Sequence, residues 1–590
     1  DVIVGIIDGG FQYNHINFYD TEGKNLRIKR VWNQNLSGTP PTGYYYGTEY
    51  TNAEEIIAAK QDYAASHATH VTGIAAGAYK GNEYYGIAPD ADLVLVSYNI
   101  SDNSSSNTSI TDGIKYIYDY AESVGKPCVI NMSLGYHIGP HDGTSTFDRI
   151  CDELQGEGRL LVGASGNEAE YNIHATKTLK KGDTNMKSLV EFVSNWYLYG
   201  SMTSTVDIWG DAEKQLSARV FVYDILNKKE VYSSESFSTA ASASKKISNP
   251  TGADGNIYIS TATNPYNKKG NITIDLNLSS FDNRNYYIGF AISGPEETTI
   301  NAWTDAYMSW LSNFGNSEFT NGDNNSTMGE IGGTGKRIIT VGAYTSCNYI
   351  DHKNSSMWNN SGQTLNQLVS FSSLGPTADG RMKPDITAPG SMLISSFNSS
   401  TSSNRNGEDY NYVVKQENIN TVNYYYGSME GTSMATPVVT GILATWLQAN
   451  PKLTPEQVRE ILSNTATTDS YTGNIAGVGN NRWGYGKINA YDGLVYCLNH
   501  SGIEQVGTPT QPMVYPNPAT DICYFLLQND DKNINVSIYT LNGTEIYSRY
   551  MGNINAGEQN QLDLSDLAAG IYFIHITGDK TNMTTKLTIK

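Results

Sequence analysis

The chain opens on "VIVGIIDGG" (Val2–Gly10), six apolar or glycine residues leading to an aspartate and a glycine pair. Polar and apolar residues do not alternate in it, so the strand it forms is buried on both faces, as in a parallel sheet covered by helices. The same texture recurs in "DLVLVSY" (Asp92–Tyr98), "PCVINMSL" (Pro127–Leu134) and "RLLVGASGN" (Arg159–Asn167). Between these runs lie the helix-like "HATHVTGIAAGA" (His67–Ala78) and "ITDGIKYIYDYAESV" (Ile110–Val124). Strands alternating with helices predict an α/β domain whose parallel sheet is joined by crossover helices.

That domain is interrupted. After residues 1–168, the stretch 169–325 changes to alternating segments such as "LSARVFVYDI" and "NITIDLNL", separated by Gly, Asn and Ser clusters, which predicts an inserted antiparallel β-domain. The α/β pattern resumes over 326–497 with "KRIITVGAYTS", the long apolar run "SMATPVVTGILATWLQANP" (Ser433–Pro451) and "LTPEQVREILSNTA". In the last of these, Thr454 is a candidate N-cap, Pro455 fits the first helical turn and Gln457 completes a capping box. A polar, Pro- and Gly-bearing linker is expected at 498–511, then a small β-sandwich at 512–590, with Asn542-Gly543 suited to a type I′ hairpin turn. The run "SDNSSSNTS" (Ser101–Ser109) reads as a surface loop, and no internal repeat is evident.

Length and composition bound the function. At 590 residues the chain exceeds one compact core, and its 42 tyrosines and only 17% charged residues describe a folded, loop-rich, β-heavy protein. A net charge of −20 argues against nucleic acid or an anionic membrane as partner. The five cysteines (Cys128, Cys151, Cys347, Cys497, Cys523) show no CxxC spacing, so neither a zinc knuckle nor a disulfide scaffold is signalled. No run of 18 apolar residues appears, and the first residues lack the basic region and cleavage site of a signal peptide, so the start reads as processed or truncated.

Four places at strand ends or helix starts can supply the parts of a nucleophilic site: a hydroxyl, a base, an orienting carboxylate and oxyanion donors. Asp8 ends its strand before Gly9 and Gly10, although Asp-Gly-Gly alone is equally an ordinary turn. His67 and His70 open a helix candidate; without an HExxH pattern such a pair also simply packs or caps. Asn167 sits in a Gly-Asn-Glu turn, where asparagine commonly serves the backbone. Ser433 follows Gly431 and Thr432 at a helix start, a position that favours developing negative charge and where serine is otherwise a cap.

Jointly these segments resemble the subtilisin-like serine proteases, the subtilases, in the order Asp, His, Ser known for that family. "IIDGGFQYNH" resembles the aspartate motif, "HATHVTGIAAG" the histidine motif and "GTSMATP" (Gly431–Pro437) the serine motif; "INMSLG", "GASGNE", "GIAPDADL", "FSSLGP" and "KPDITAPG" fit as well. The resemblance implies Ser433 as nucleophile, His67 as general base and later acid, Asp8 as the carboxylate fixing the imidazole, and Asn167 with the Ser433 N–H as oxyanion donors. It implies that Ser133, Leu134 and Gly135 pair with an extended polypeptide substrate, with Glu168 bringing negative charge near a subsite. It also implies a protease made with an inhibitory prosegment.

Two departures from the family pattern stand out. Ala68 replaces the usual glycine beside His67, which a helix tolerates unless close packing shifts the histidine. The family often binds structural calcium, which stays possible here, but Asn17 and Lys80 stand where its ligands are common, so calcium is not supported at that loop; no cofactor is required. The insert resembles jelly-roll-like inserts of some bacterial subtilases and either braces the domain or gates substrate. The tyrosine runs Gly43–Gly47 and Asn423–Gly427 line subsites or pack against the insert. Finally, "VYPNPATD", "LAAGIYFIHI" and "KLTIK" resemble sorting domains of type IX-secreted bacterial proteins, which implies a secreted or surface location. The expected protein is a secreted serine endopeptidase. The rival readings are a non-catalytic binding or adhesive protein on an inactive scaffold, and a protease restricted to self-processing or one partner.

Overall fold

A computed structural model of the chain describes residues 2–99, 107–193, 202–248, 254–281, 284–305, 308–500, 513–527, 529–540 and 544–590. Most of the serine-rich loop at 101–109, the Asn542-Gly543 turn and the linker from residue 501 fall outside the described residues. The chain divides into two compact units, Asp1–Leu498 and Asn499–Lys590.

The first unit is built on an eight-stranded sheet in the order Ile386–Pro389, Ile339–Tyr344, Arg159–Ala164, Cys128–Met132, Ile3–Asp8, Asp92–Ser97, Ile28–Asn33, Thr48–Tyr50. Neighbours run parallel except the last pair, which is antiparallel. The opening strand lies at the centre, between Cys128–Met132 and Asp92–Ser97, and all six of its residues are buried. This is the two-sided burial that its unbroken apolar pattern requires. On one face lie the helices His67–Ala76 and Thr432–Ala449, and on the other Thr108–Ser123. The Thr432–Ala449 helix is apolar nearly all round because it crosses the core rather than capping it. It approaches the His67 helix so closely that a Cβ on Gly441 would stand 2.7 Å from the Ala75 carbonyl oxygen.

Between the two parts of this core stands the insert, two six-stranded antiparallel sheets whose strands run from His174 to Ser312. Val206, Ile272 and Ile274 from one sheet face Val220, Ile288 and Phe290 from the other, an apolar layer formed by alternate residues. The capping box at Thr454 and Gln457 is formed, and Pro455 begins that helix. The last helix, Ala490–His500, runs three residues beyond Cys497, past the point where the linker was expected to begin. All five cysteines are free, including Cys128 and Cys151, which share one buried cluster. The second unit consists of a three-stranded and a four-stranded antiparallel sheet around Phe525, Val536, Ile538, Ile574 and Ile576.

Two buried carboxyl groups inside the first unit carry a pH dependence. Asp148 and Glu330 both face Thr334, whose hydroxyl donates 2.8 Å to Asp148 Oδ2 and lies 3.3 Å from Glu330 Oε2, while Asp148 Oδ1 and Glu330 Oε1 have no hydrogen-bond partner among the described residues. Burial raises both pKa values, and for Glu330 the Asp148 charge raises it further. The folded pair therefore retains a proton that the unfolded chain releases above about pH 4, and stability falls as pH rises from there toward neutrality. Asp148→Asn removes one of the two charges. Its melting temperature relative to the parent is expected to be higher at pH 8 than at pH 5, measured by scanning calorimetry; an equal difference at both values would show that the pair does not titrate in this range.

Candidate active site

Asp8, Ser133 and Asn167 all lie at the carboxyl ends of central parallel strands, the edge where open α/β sheets place their sites. Asp8 Oδ1 stands 2.8 Å from His67 Nδ1 and accepts the Gly9 N–H at 2.7 Å. The His67 helix is docked by hydrogen bonds from the Ala68 N–H to Gly9 O and from the Thr69 hydroxyl to Gly10 O. Ala68 fits there fully buried, so the departure from glycine leaves the Asp–His contact intact. The imidazole is 38% exposed and opens to the cleft. Burial opposes its protonation, but the Asp8 charge and hydrogen bond outweigh that and raise its pKa. His70 points away: Nε2 meets the Leu393 and Gly427 carbonyls, and burial pushes its pKa down to about 3, the state of a packed core histidine.

Ser433 stands at the start of its helix for backbone reasons that the sequence encodes. Gly431 has φ 148°, a conformation side chains disfavour, and turns the chain into the helix. Pro437, four residues beyond Ser433, has no N–H to offer the Ser433 carbonyl. The Ser133 hydroxyl fills that role at 2.7 Å and is itself held by Asn131 (2.9 Å), which accepts from Thr440 of the same helix. A buried chain thus fixes the helix start to the end of the Cys128–Met132 strand.

Asn167 is oriented by Thr432, whose N–H and hydroxyl donate to its Oδ1 at 2.9 and 3.0 Å. Its Nδ2 donates to no described residue. The Met434 and Ala435 N–H groups return to Gly431 O, and the Ser433 N–H has no partner among the described residues. Two donors are therefore left open beside the Ser433 hydroxyl.

The hydroxyl itself lies 3.4 Å from the Ser133 carbonyl oxygen and is not hydrogen-bonded to His67. The structure therefore brings together Asp8 with His67, Asn167 with Thr432, and Ser133 with Ser433, but leaves the Ser433–His67 bond unmade. Ser133, Leu134 and Gly135 continue past the strand end at Met132 with no partner strand among the described residues, and a Cβ on Gly135 would meet nothing within 4 Å.

This segment separates two cavities. One, of about 450 Å³, is lined by Asp8 and His67 and by the apolar or aromatic Tyr63, Tyr98, Ile110 and Ile331. The other, of about 370 Å³, adjoins Asn167 and Ser433 and contains Glu168. Glu168 is buried there, with Oε2 accepting the Ser373 hydroxyl at 2.9 Å and lying 3.5 Å from His137 Nε2. Thr205, Asp207, Trp303 and Asp305 of the insert line the same cavity, a contribution with no signal in the local sequence because the strands carrying them lie far from the motifs along the chain.

The tyrosine runs pack on the catalytic domain itself, not on the insert. Tyr44 and Tyr46 lie against Trp32 with ring centroids 4.5 and 5.1 Å apart, and Tyr424 and Tyr426 flank His15, both at 5.3 Å. In the first run the middle ring, Tyr45, is left 97% exposed, whereas in the second the middle ring, Tyr425, is buried as well, with Phe397 and Val413.

An Asp–His pair and a helix-start serine gathered at one edge of a parallel α/β sheet form the architecture of a serine hydrolase. The chain belongs to the Subtilase family, the subtilisin-like serine peptidases, which it matches over residues 1–486. Residues 513–590 match the secretion system C-terminal sorting domain, which marks the protein for export to the bacterial surface or beyond. Serine protease AprX of Bacillus subtilis is 37% identical over 158 residues, 27% of this chain and 30% of that protein. Minor extracellular protease Vpr of the same organism is 36% identical over 123 residues, 20% of this chain and 13% of that protein. The Clostridium perfringens CspB protease structure shares the fold, with a TM-score of 0.61 over 85% of this chain and 95% of its own at 20% identity. Among the described residues, no helix is long and apolar enough to cross a membrane.

Proposed function

We propose that the protein is a secreted serine endopeptidase that hydrolyses extended polypeptides through an acyl-enzyme on Ser433. In this reading His67 Nε2 takes the hydroxyl proton as Ser433 Oγ attacks the scissile carbonyl, and Asp8 steadies the imidazolium that results. The carbonyl oxygen, now negative, is received by the Ser433 N–H and Asn167 Nδ2. His67 then returns the proton to the leaving amine, and water releases the acyl group by the same route. Leu134 and Gly135 pair with the substrate backbone, which runs between the two cavities.

The observation that carries the reading is the pair of open donors, Asn167 Nδ2 and the Ser433 N–H, beside the Ser433 hydroxyl, with the Asp8–His67 pair at the same edge of the sheet. The unmade Ser433–His67 hydrogen bond favours the rival, a binding protein on an inactive scaffold. Catalytic hydrogen bonds are commonly loose before substrate arrives, and rotation about one side-chain bond moves the hydroxyl off the Ser133 carbonyl. Asn167→Ala separates the two readings. It is expected to lower kcat on a peptide substrate by about 10²–10³ with little change in KM, because the donor acts on charge that exists only in the transition state. Parent-like kcat in that variant would remove Asn167 from the reaction.

The chemistry proposed is carried by side chains and the backbone, with no cofactor. For the loop at Asn17 we infer closure by hydrogen bonds in place of calcium. Asn17 Nδ2 donates to Tyr84 O and Ser396 Oγ at 3.0 and 2.9 Å, and its Oδ1 accepts the Tyr79 N–H at 3.1 Å, so a donor points where a cation would need oxygen.

A further inference from the structure

The cavity of about 370 Å³ beside Asn167 and Ser433 is closed along one side by the insert. One wall is the segment from Leu134 to Ile138; facing it are Thr205, Asp207, Trp303 and Asp305, carried on or just after the strands Met202–Ala212 and Thr299–Thr304. The insert is held in register with that wall. The Gly139 N–H donates to Asp207 Oδ2 at 2.8 Å, the His141 ring stacks on Trp303 at 4.1 Å, and Lys269 pairs with Asp142 at 2.6 Å.

What makes this a site is its two facing walls and its place next to the proposed nucleophile. What it accepts follows from its lining. Besides the Tyr136 hydroxyl, the titratable groups are the carboxylates of Glu168, Asp207 and Asp305 and the imidazole of His137, which lies 3.5 Å from Glu168, and among the described residues no lysine or arginine lines it. Asp207 is buried with both oxygens facing neutral donors only: Gly139 N–H and Trp209 Nε1 on one, Asn271 Nδ2 and the Thr273 hydroxyl on the other. Asp275 adds charge behind Thr205, whose hydroxyl donates to it at 2.8 Å. The charges converge on the cavity wall: the Tyr136 hydroxyl is pushed up first by burial and then by Asp207, Asp275 and Asp305. Burial without a neighbouring cation lifts the Asp207 carboxyl to about 6. Tyr136, Ile138 and Trp303 supply apolar and aromatic surface on which a methylene stem or guanidinium can lie.

We propose that this insert-built cavity selects a lysine or arginine side chain immediately before the cleaved bond. The proposal rests on the reading of Ser433 as nucleophile. It assigns the insert a direct part in substrate choice: Asp305 at the exposed rim attracts the cation, and the buried Asp207 and Glu168 form its acidic surround.

The test is a set of fluorogenic peptides identical except for the residue before the scissile bond, offered to the full chain as arginine, lysine, citrulline, leucine or glutamate. Arginine and lysine are expected to exceed citrulline, which matches arginine in shape without its charge, by roughly 100-fold in kcat/KM, and glutamate to be cleaved least. Asp305→Asn, at an exposed position, is expected to cut the arginine-to-citrulline ratio by roughly 10-fold. Asp207→Asn, checked for folding by circular dichroism, should cut it further. Equal rates on arginine and citrulline, or a preference for leucine, would overturn the proposal while leaving the peptidase reading intact. Failure to cleave any peptide, together with failure of Ser433 to react with a fluorophosphonate, would overturn both.

Discussion

Ser433→Ala is expected to lower kcat on a peptide substrate by roughly 10⁶-fold, His67→Ala by a similar factor, and the double variant by no more than either alone. The lack of additivity is the diagnostic feature. A serine hydroxyl near neutral pH is a weak nucleophile, and an imidazole with no hydroxyl to deprotonate has no task, so the two groups count once. Titrating the four proteins with substrate at one pH gives the whole cycle. Single-variant losses that multiply in the double variant would mean that Ser433 and His67 do not act on one step. The residual rate should still exceed that in water, because Asn167 and the Ser433 N–H remain in place.

Asp8→Asn is expected to cost about 10⁴-fold in kcat. The carboxylate now accepts from His67 Nδ1 and from the Gly9 N–H, both on Oδ1. An amide keeps the shape but removes the charge that stabilises the imidazolium, and it offers an N–H that favours the other tautomer. The pH profile supplies an independent signature. Asp8 is what raises the His67 pKa against the opposing effect of burial. The base form of His67 is required for attack, so activity falls as pH drops through its pKa. Removing the Asp8 charge lowers that pKa, and the acid limb of kcat/KM should move to lower pH even as the maximum falls. An unmoved limb would mean that the limb reports some other group.

Much of this architecture was legible in the sequence, for physical reasons specific to certain stretches. The run Val2–Ile7 identifies a strand buried on both faces, and it occupies the centre of the parallel sheet. The Gly-Thr-Ser turn before an apolar run marks a helix start, and the alternating pattern after Glu168 marks the antiparallel insert. The interactions that hold the site were hidden. Pro437 is visible in "GTSMATP", but nothing local says that the carbonyl it leaves unpaired is satisfied by Ser133, or that Asn131 and Thr440 complete the chain. Thr432 reads as part of a tight turn, whereas its hydroxyl and N–H orient Asn167. The insert's wall beside the cavity was equally silent, because Asp207 and Trp303 look like ordinary strand residues until the sheet that carries both docks against the segment from Gly135 to His141. The packing of the tyrosine runs was silent for the same reason: it depends on partners such as Trp32, His15 and Phe397 that are remote in sequence.

The central claim is that Ser433 is an activated nucleophile, and covalent labelling tests it most directly. The purified full chain would be treated with a fluorophosphonate probe beside Ser433→Ala and His67→Ala, and the modified peptide identified by mass spectrometry. The account predicts stoichiometric label on Ser433 in the parent and none in either variant. A folded parent that takes no label, or takes it at another residue, would contradict the account and return the protein to the reading of a binding module on a subtilase scaffold.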